Sequence, residues 1–182
     1  MRGTGWKHRV TNMIYKTNHN NKYRYALGKK GKRTLACFGI NPSTASPAKL
    51  DGTTRSVERI AEFNGFDGWL MLNIYPQRAT VPNDIHKRKN TQAILENEAI
   101  IYDLFEEMNI DTIWAAWGDL IEIRKFFKPC LSNVYTKINR ETLAWARVQA
   151  LTQKGHPRHP LYKPIQSRFE VFDVEKYIAL LS

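Results

Sequence analysis

The sequence predicts an α/β fold: a three-layer αβα sandwich in which helices cover both faces of a mostly parallel central sheet. Two observations carry this. Short apolar runs of strand character, at 34–40, 69–75 and 112–117, alternate with stretches whose apolar residues recur at helical spacing, such as Val57, Ile60 and Phe63, or Ile94, Ile101, Leu104 and Phe105. Strand–helix–strand order then requires crossover connections, and these lay helices over the sheet. With 182 residues, 42% of them hydrophobic, the chain is long enough for one domain with a buried core, and no composition break divides it.

Residues 1–20 are polar and Asn-rich and read as a flexible basic arm preceding the domain. Residues 23–27 form a strand, Gly28-Lys29-Lys30-Gly31-Lys32-Arg33 a basic turn, and 34–40 the next strand. A helix follows at 54–63, with Gly65 as its stop signal. Next come a buried strand at 69–75, an amphipathic helix at 91–108 and a short strand at 112–117. Asp119-Leu120-Ile121-Glu122 has the spacing of a capping box opening a helix to Phe127. A strand at 147–152 and a helix at 173–181 complete the chain. Four loops, after Ile40, Leu72, Trp117 and Thr152, leave the carboxyl ends of strands, where open α/β sheets bind ligands.

Charge is segregated along the chain. Lys and Arg number 28 against 17 Asp and Glu, a net charge of +11. The first fifty residues hold eleven basic residues and no carboxylate before Asp51. Trp6, Tyr15, Tyr23 and Tyr25 are interleaved with those cations. Cations for phosphates beside aromatics for bases suit a nucleic-acid surface, and a solubilising basic arm is the plainer alternative. Phosphate contacts are therefore expected from Lys29, Lys30, Lys32 and Arg33. No apolar run is long enough to span a bilayer, and no apolar segment follows Met1-Arg2 as in a signal peptide. Cys37 and Cys130 form no disulfide framework, which fits a reducing cytoplasm.

Four motifs carry chemistry. In Gly39-Ile40-Asn41-Pro42-Ser43, Asn41 can orient a water or a sugar hydroxyl, and Ser43 and Thr44 can donate to a phosphate. The equal alternative is that Asn41 does no more than cap the turn. Asp51 can serve as a base or charge stabiliser, or as the N-cap of the following helix. In Leu72-Asn73-Ile74-Tyr75-Pro76-Gln77-Arg78, the Asn73 amide has the donors and acceptor to read a base edge, and Arg78 suits a phosphate. In Gly155-His156-Pro157-Arg158-His159-Pro160-Leu161, His156 and His159 can donate to a departing base and Arg158 can neutralise a phosphate. No carboxylate or cysteine near that pair completes a zinc set, so neither metal nor cofactor is expected.

The order of these motifs resembles the uracil-DNA glycosylase superfamily. Gly39-Ile40-Asn41-Pro42 is similar to the first motif of its mismatch-specific branch, with Ser43 in place of the closing Gly. Leu72-Asn73 with Arg78 and Pro82 is similar to the strand-end Asn and Arg-Pro loop of its iron–sulfur branch. Trp117-Gly118 resembles a turn of the superfamily, and 156–161 its closing His-Pro-Ser-Pro-Leu loop. Residues 23–163 also resemble an uncharacterised bacterial and phage domain family with an Asn-Pro-Ser-Thr-Ala signature.

The resemblance implies a uracil-DNA-glycosylase-like fold for a single domain over 1–182. It also implies a monomer that acts on duplex or single-stranded DNA, flips out a base and hydrolyses its N-glycosidic bond. By position, Asn41 would orient the water, Asn73 would read the base with the strand-end aromatics Phe38 and Tyr75, and His156 or His159 would stabilise the departing base. Leu161 and Tyr162 would be the wedge. The Asp of the uracil-specific first motif is absent, so Asp51 would supply that charge. The cluster cysteines of the iron–sulfur branch are missing, so no cluster is expected. Nothing from Phe38 to Pro42 gates against large bases, which admits bulky phage-type bases such as glucosylated hydroxymethylcytosine. A non-catalytic nucleotide sensor and a hydrolase of free modified nucleotides are the other readings.

Overall fold

The computed structural model describes residues 12–181. The chain folds as one seven-stranded sheet with helices on both faces. Its elements are β1 (Met13–Thr17), β2 (Arg24–Lys29), β3 (Thr34–Gly39), α1 (Gly52–Phe63), β4 (Gly68–Asn73), α2 (Thr91–Glu107), β5 (Thr112–Ala115), α3 (Phe127–Ile138), β6 (Ala144–Val148), β7 (Phe169–Val171) and α4 (Val174–Leu180). Short 3-10 turns at Pro82–Asp84 and Gly118–Glu122 lie in the loops after β4 and β5.

Across the sheet the order is β1-β2-β4-β3-β5-β6-β7. The four central strands β4, β3, β5 and β6 are parallel. The flanks differ from the expectation: β1, β2 and β7 join antiparallel. Two apolar clusters mark the two faces. Val57, Ile60 and Ala61 of α1 pack on Leu35, Cys37, Trp69, Met71 and Trp114. On the other face α2, α3 and α4 pack on Ala36, Phe38, Leu70, Leu72 and Ile113. Strands buried on both faces read as continuous apolar runs rather than alternating ones, which is why 34–40 and 69–75 were legible as core.

Met13–Thr17, within the stretch expected to be an arm, forms the edge strand β1 on β2. Trp6, Lys7 and Arg9 lie outside the described residues. The Asp119–Glu122 capping box does not open a helix. Asp119 Oδ1 instead accepts the Thr152 hydroxyl at 2.6 Å, and Glu122 pairs with Lys154 at 2.5 Å, so both carboxylates fasten the loop after β6. The strand expected at 147–152 lies earlier, at Ala144–Val148, because Gln149 turns left-handed with φ 59°. Among the described residues, no helix is long and apolar enough to cross a membrane.

One irregularity positions a site residue. In the β1–β2 ladder Lys16 faces Ala26 but Thr17 faces Arg24, so Tyr25 is an extra residue. Such a bulge re-aims the side chain beside it. Tyr25 reaches Glu96 on α2, whereas Arg24 turns to the opposite face and lines the cleft described below.

Candidate active site

Loops from several strands close on a cleft of about 340 Å³ at the carboxyl end of the parallel sheet. The loop after β3 contributes Asn41, Ser43 and Thr44, and the start of α1 contributes Asp51, Thr53 and Thr54. Thr80 comes from the loop after β4, Leu120 from the turn after β5, and His159 and Leu161 from the loop after β6. Met71 and Arg24 complete the wall. The chain leaves β3 for β4 on one side and β5 for β6 on the other. The loops part between these two strands, which is where open α/β sheets bind ligands.

Asn41 has a divided role. Its amide nitrogen donates to the carbonyls of Ala79 (2.8 Å), Pro42 (3.0 Å) and Gln77 (3.5 Å), stitching two site loops together. Its Oδ1 takes no partner among the described residues and is left for a ligand or a water. Asp51 is divided in the same way. Oδ1 caps α1, accepting from Thr54 N–H at 2.9 Å and the Thr54 hydroxyl at 3.0 Å. Oδ2 has no partner among the described residues. Capping therefore engages one oxygen of this carboxylate and leaves the other without a partner among the described residues.

His159 lines the same cleft, close enough to Asp51 to feel its charge. Its Nδ1 accepts the Leu161 N–H at 3.3 Å, so in the neutral ring the proton sits on Nε2. Burial pulls its pKa below the ordinary imidazole value, with Asp51 acting in the other direction. Gly118 turns beside it with φ 61°, the left-handed region that favours glycine, and a Cβ there would make only ordinary contact, 3.6 Å from His159 Cβ. Gly39 clears the floor, since a Cβ there would come within 2.8 Å of Met71 Cε and 3.2 Å of Asn73 Oδ1.

Other expected site residues are placed elsewhere. His156 is buried in a relay: Trp117 Nε1 donates to Tyr177 Oη at 2.9 Å, Tyr177 Oη stands 2.7 Å from His156 Nδ1, and His156 Nε2 stands 3.1 Å from Glu122. That relay pins the loop bearing His159 to α4. Burial pushes the Tyr177 phenol up to about 12. Phe38 lies on the α2 face, stacked on Trp145, and Tyr75 is fully buried against Phe126 and Phe127. Neither lines the cleft. Asn73 is fully buried with both side-chain amide atoms unpartnered, beside Gly39 but off the cleft wall.

The cations divide similarly. Arg78 donates to Ser43 O (2.5 Å), Ala45 O (3.3 Å), Tyr15 Oη (2.6 Å) and Asn21 Oδ1 (3.2 Å), clamping the back of the loop after β3. Arg158 is held on its own loop by the carbonyls of Ala150 and Leu151. Lys29, Lys30, Lys32 and Arg33 sit in the β2–β3 turn, at the amino end of the parallel strands and away from the cleft. Of the expected wedge, Leu161 lines the cleft, while Tyr162 is 89% exposed with φ 63°. Sequence reasoning missed Arg24 and Thr80. A cation inside the strand run at 23–27 was the available signal for the first, and the Arg78-Ala79-Thr80 tripeptide for the second. Among the described residues, no three His, Cys, Asp or Glu side chains gather in a way that could hold a metal ion.

Fold and cleft together define an α/β protein with a cleft at the switch point of its parallel strands. A family model described as "Protein of unknown function (DUF1643)" matches residues 24–161, and the chain belongs to this family. The matched span opens on Arg24 and closes on Leu161, both of which line the cleft. No curated protein matches the chain.

Proposed function

We propose that the protein is a DNA glycosylase of the uracil-DNA-glycosylase type, which extrudes a modified base and hydrolyses its N-glycosidic bond. The observation that carries this reading is the meeting, in one cleft, of a carboxylate with a free oxygen and an imidazole whose neutral form has a free N–H. Glycosidic cleavage develops positive charge on the sugar and negative charge on the leaving base. Asp51 Oδ2 would face the sugar and stabilise its charge, and Asn41 Oδ1 would hold the attacking water. The water oxygen bonds to the anomeric carbon, the C–N bond pair leaves with the base, and the water's proton passes to Asp51 or solvent. His159 Nε2–H would donate to the departing base. A volume of about 340 Å³ lies at the small end of ligand-pocket sizes and suits one extruded nucleoside.

The test is a single-turnover reaction on duplexes carrying uracil, 5-hydroxymethylcytosine or its glucosylated form, followed by alkaline cleavage of abasic sites. Strand scission with wild type and its loss with Asp51→Asn is expected. Intact strands across the panel, with folded protein, would overturn the DNA reading. One observation favours a second reading, hydrolysis of free modified nucleotides: the basic β2–β3 turn lies away from the cleft and need not serve it. Base release from nucleoside monophosphates, followed by chromatography, distinguishes the two.

A further inference from the structure

Arg24 is the least compensated charge among the described residues of the cleft. It is 2% exposed, its Nε has no partner, and its Nη1 donates only to the Ala45 carbonyl at 3.1 Å. No carboxylate lies within ion-pairing distance of it among the described residues. Burial, and then the neighbouring Arg78 guanidinium, press its pKa down to about 10, while Asp51 acts from farther off in the opposite sense. Two guanidiniums thus converge on one carbonyl, Ala45 O, with a single carboxylate nearby. A buried charge without a partner is costly, and proteins keep one where something else neutralises it.

The surrounding donors suit an anion. The Gly52 and Thr53 N–H groups open the twelve-residue helix α1, and the Asp51 cap occupies only the Thr54 N–H. Such amides, with the helix dipole behind them, attract negative charge. Ser43 and Thr80, whose hydroxyls are 3.3 Å apart, line the same cleft.

We propose that Arg24, the amino end of α1 and the Ser43 and Thr80 hydroxyls form a phosphate subsite, so that the ligand carries a phosphate on the sugar placed beside Asp51 and His159. This rests on the reading of the cleft as a nucleotide site. The shared chemistry is a sugar phosphate, either a diester in DNA or the monoester of a free nucleotide. A guanidinium fork matches two phosphate oxygens. The anion would also neutralise Arg24, which pairs with no carboxylate among the described residues.

Binding without turnover tests it. Thermal shift and calorimetry with inorganic phosphate, a nucleoside monophosphate, its parent nucleoside and a duplex containing a tetrahydrofuran abasic analogue are compared for wild type, Arg24→Lys and Arg24→Met. Wild type is expected to bind the monophosphate at least tenfold more tightly than the nucleoside. Arg24→Met should lose that preference, and Arg24→Lys should keep part of it. A triple Lys29→Gln, Lys30→Gln, Lys32→Gln variant should keep all of it. Arg24→Met should also melt no lower than wild type in phosphate-free buffer, since it removes an unpaired buried charge, which keeps the variant informative. Equal affinity for nucleoside and monophosphate in wild type, or an undiminished preference in folded Arg24→Met, overturns the subsite. Tighter binding of the abasic duplex than of the monophosphate assigns the phosphate to DNA, and the reverse assigns it to free nucleotides. Phosphate binding through Arg24 with no glycosidic cleavage of any substrate would keep the subsite and remove the proposed activity. Cleavage with an unchanged KM in Arg24→Met would do the opposite.

Discussion

The two ends of the parallel sheet hold cations in opposite ways. At the amino end, Lys29, Lys30, Lys32 and Arg33 crowd one solvent-facing turn. Asp67 accepts the N–H groups of Lys32 (3.0 Å) and Arg33 (2.7 Å), and Arg33 pairs with Asp111 at 3.1 Å while lying over Phe66. At the carboxyl end, Arg24 and Arg78 are withdrawn behind the loop after β3. A six-residue strand separates the two ends, a span of about 20 Å at roughly 3.3 Å per residue. Charge density along the sequence therefore marked the end with surface cations and passed over the end with the cleft. A solvated lysine is a weak, screened contact, whereas one buried guanidinium in a low-dielectric wall can dictate what binds there.

The sharpest break between the two ends should come from Asp51. Asp51→Asn keeps an oxygen to accept from Thr54 N–H, so the cap survives and the melting temperature should barely move. The negative charge proposed to face the sugar is lost, and the single-turnover rate should fall about a hundredfold or more. Binding should stay intact, because a carboxylate that strengthens as positive charge develops acts on turnover. Wild-type turnover in Asp51→Asn would reduce Asp51 to a cap. Asn41 would then have to handle the water alone.

A smaller effect belongs to the rim. Leu161 lines the cleft and Tyr162 projects into solvent in a left-handed conformation that a bulky residue rarely adopts without a reason. Replacing both with Ala should slow reaction on duplex by about tenfold and on single strands much less, since only the duplex requires unstacking. Equal losses on both substrates would make them ordinary packing residues.

Smaller still is the contribution of the far end. Changing Lys29, Lys30 and Lys32 to Gln should leave the saturated rate unchanged, because none of the three lines the cleft. Duplex affinity should become less salt-dependent by about 0.9 in log–log slope for each lost phosphate contact. An unchanged slope, measured by fluorescence anisotropy across a salt series, would detach the turn from nucleic acid altogether.

The central layers were legible because their signals are local. Continuous apolar runs gave β3, β4 and β5, and helical spacing gave α1 and α2. What escaped depended on context. No helix was expected over α3, which carries Pro129 as its third residue, where an N–H has no partner within the helix anyway. Asp119 and Glu122 have capping spacing, but Thr152 and Lys154 claim them across the fold. At the site, Asn41 was legible because it opens the loop after β3, Asp51 because it is the first carboxylate of the chain and precedes a helix, and His159 because it belongs to the His156-Pro157-Arg158-His159-Pro160 motif. His156 shares a motif with His159 but faces the other way, toward Tyr177 and Glu122. A Pro-bracketed loop does not announce which imidazole points where. Arg24 required knowing about the bulge at Tyr25, a pairing irregularity that only the β1–β2 register reveals.

The smallest expected effect is a pH signature of His159, and it separates the two histidines of one loop. Burial lowers the His159 pKa below its ordinary value of 6.5, with Lys163 adding to the depression and Asp51 opposing it. The unfolded chain therefore binds that proton more readily than the folded one as pH falls. Stability is complete above pH 6.5 and declines as pH drops from there toward the folded value. His159→Gln should abolish that part of the decline, seen as a flatter plot of melting temperature against pH below 6.5. Activity should fall over the same direction of pH, because protonation puts an N–H on Nδ1 and ejects the Leu161 N–H it now accepts, shifting the wall of the cleft. A variant at His156 should behave differently. His156→Gln breaks the link from Glu122 to Tyr177 and Trp117, so it should lower the melting temperature at neutral pH, where the His159 contribution is already complete. Identical pH profiles for the two variants would mean that the loop responds as one unit and that His159 has no separate place on the cleft wall.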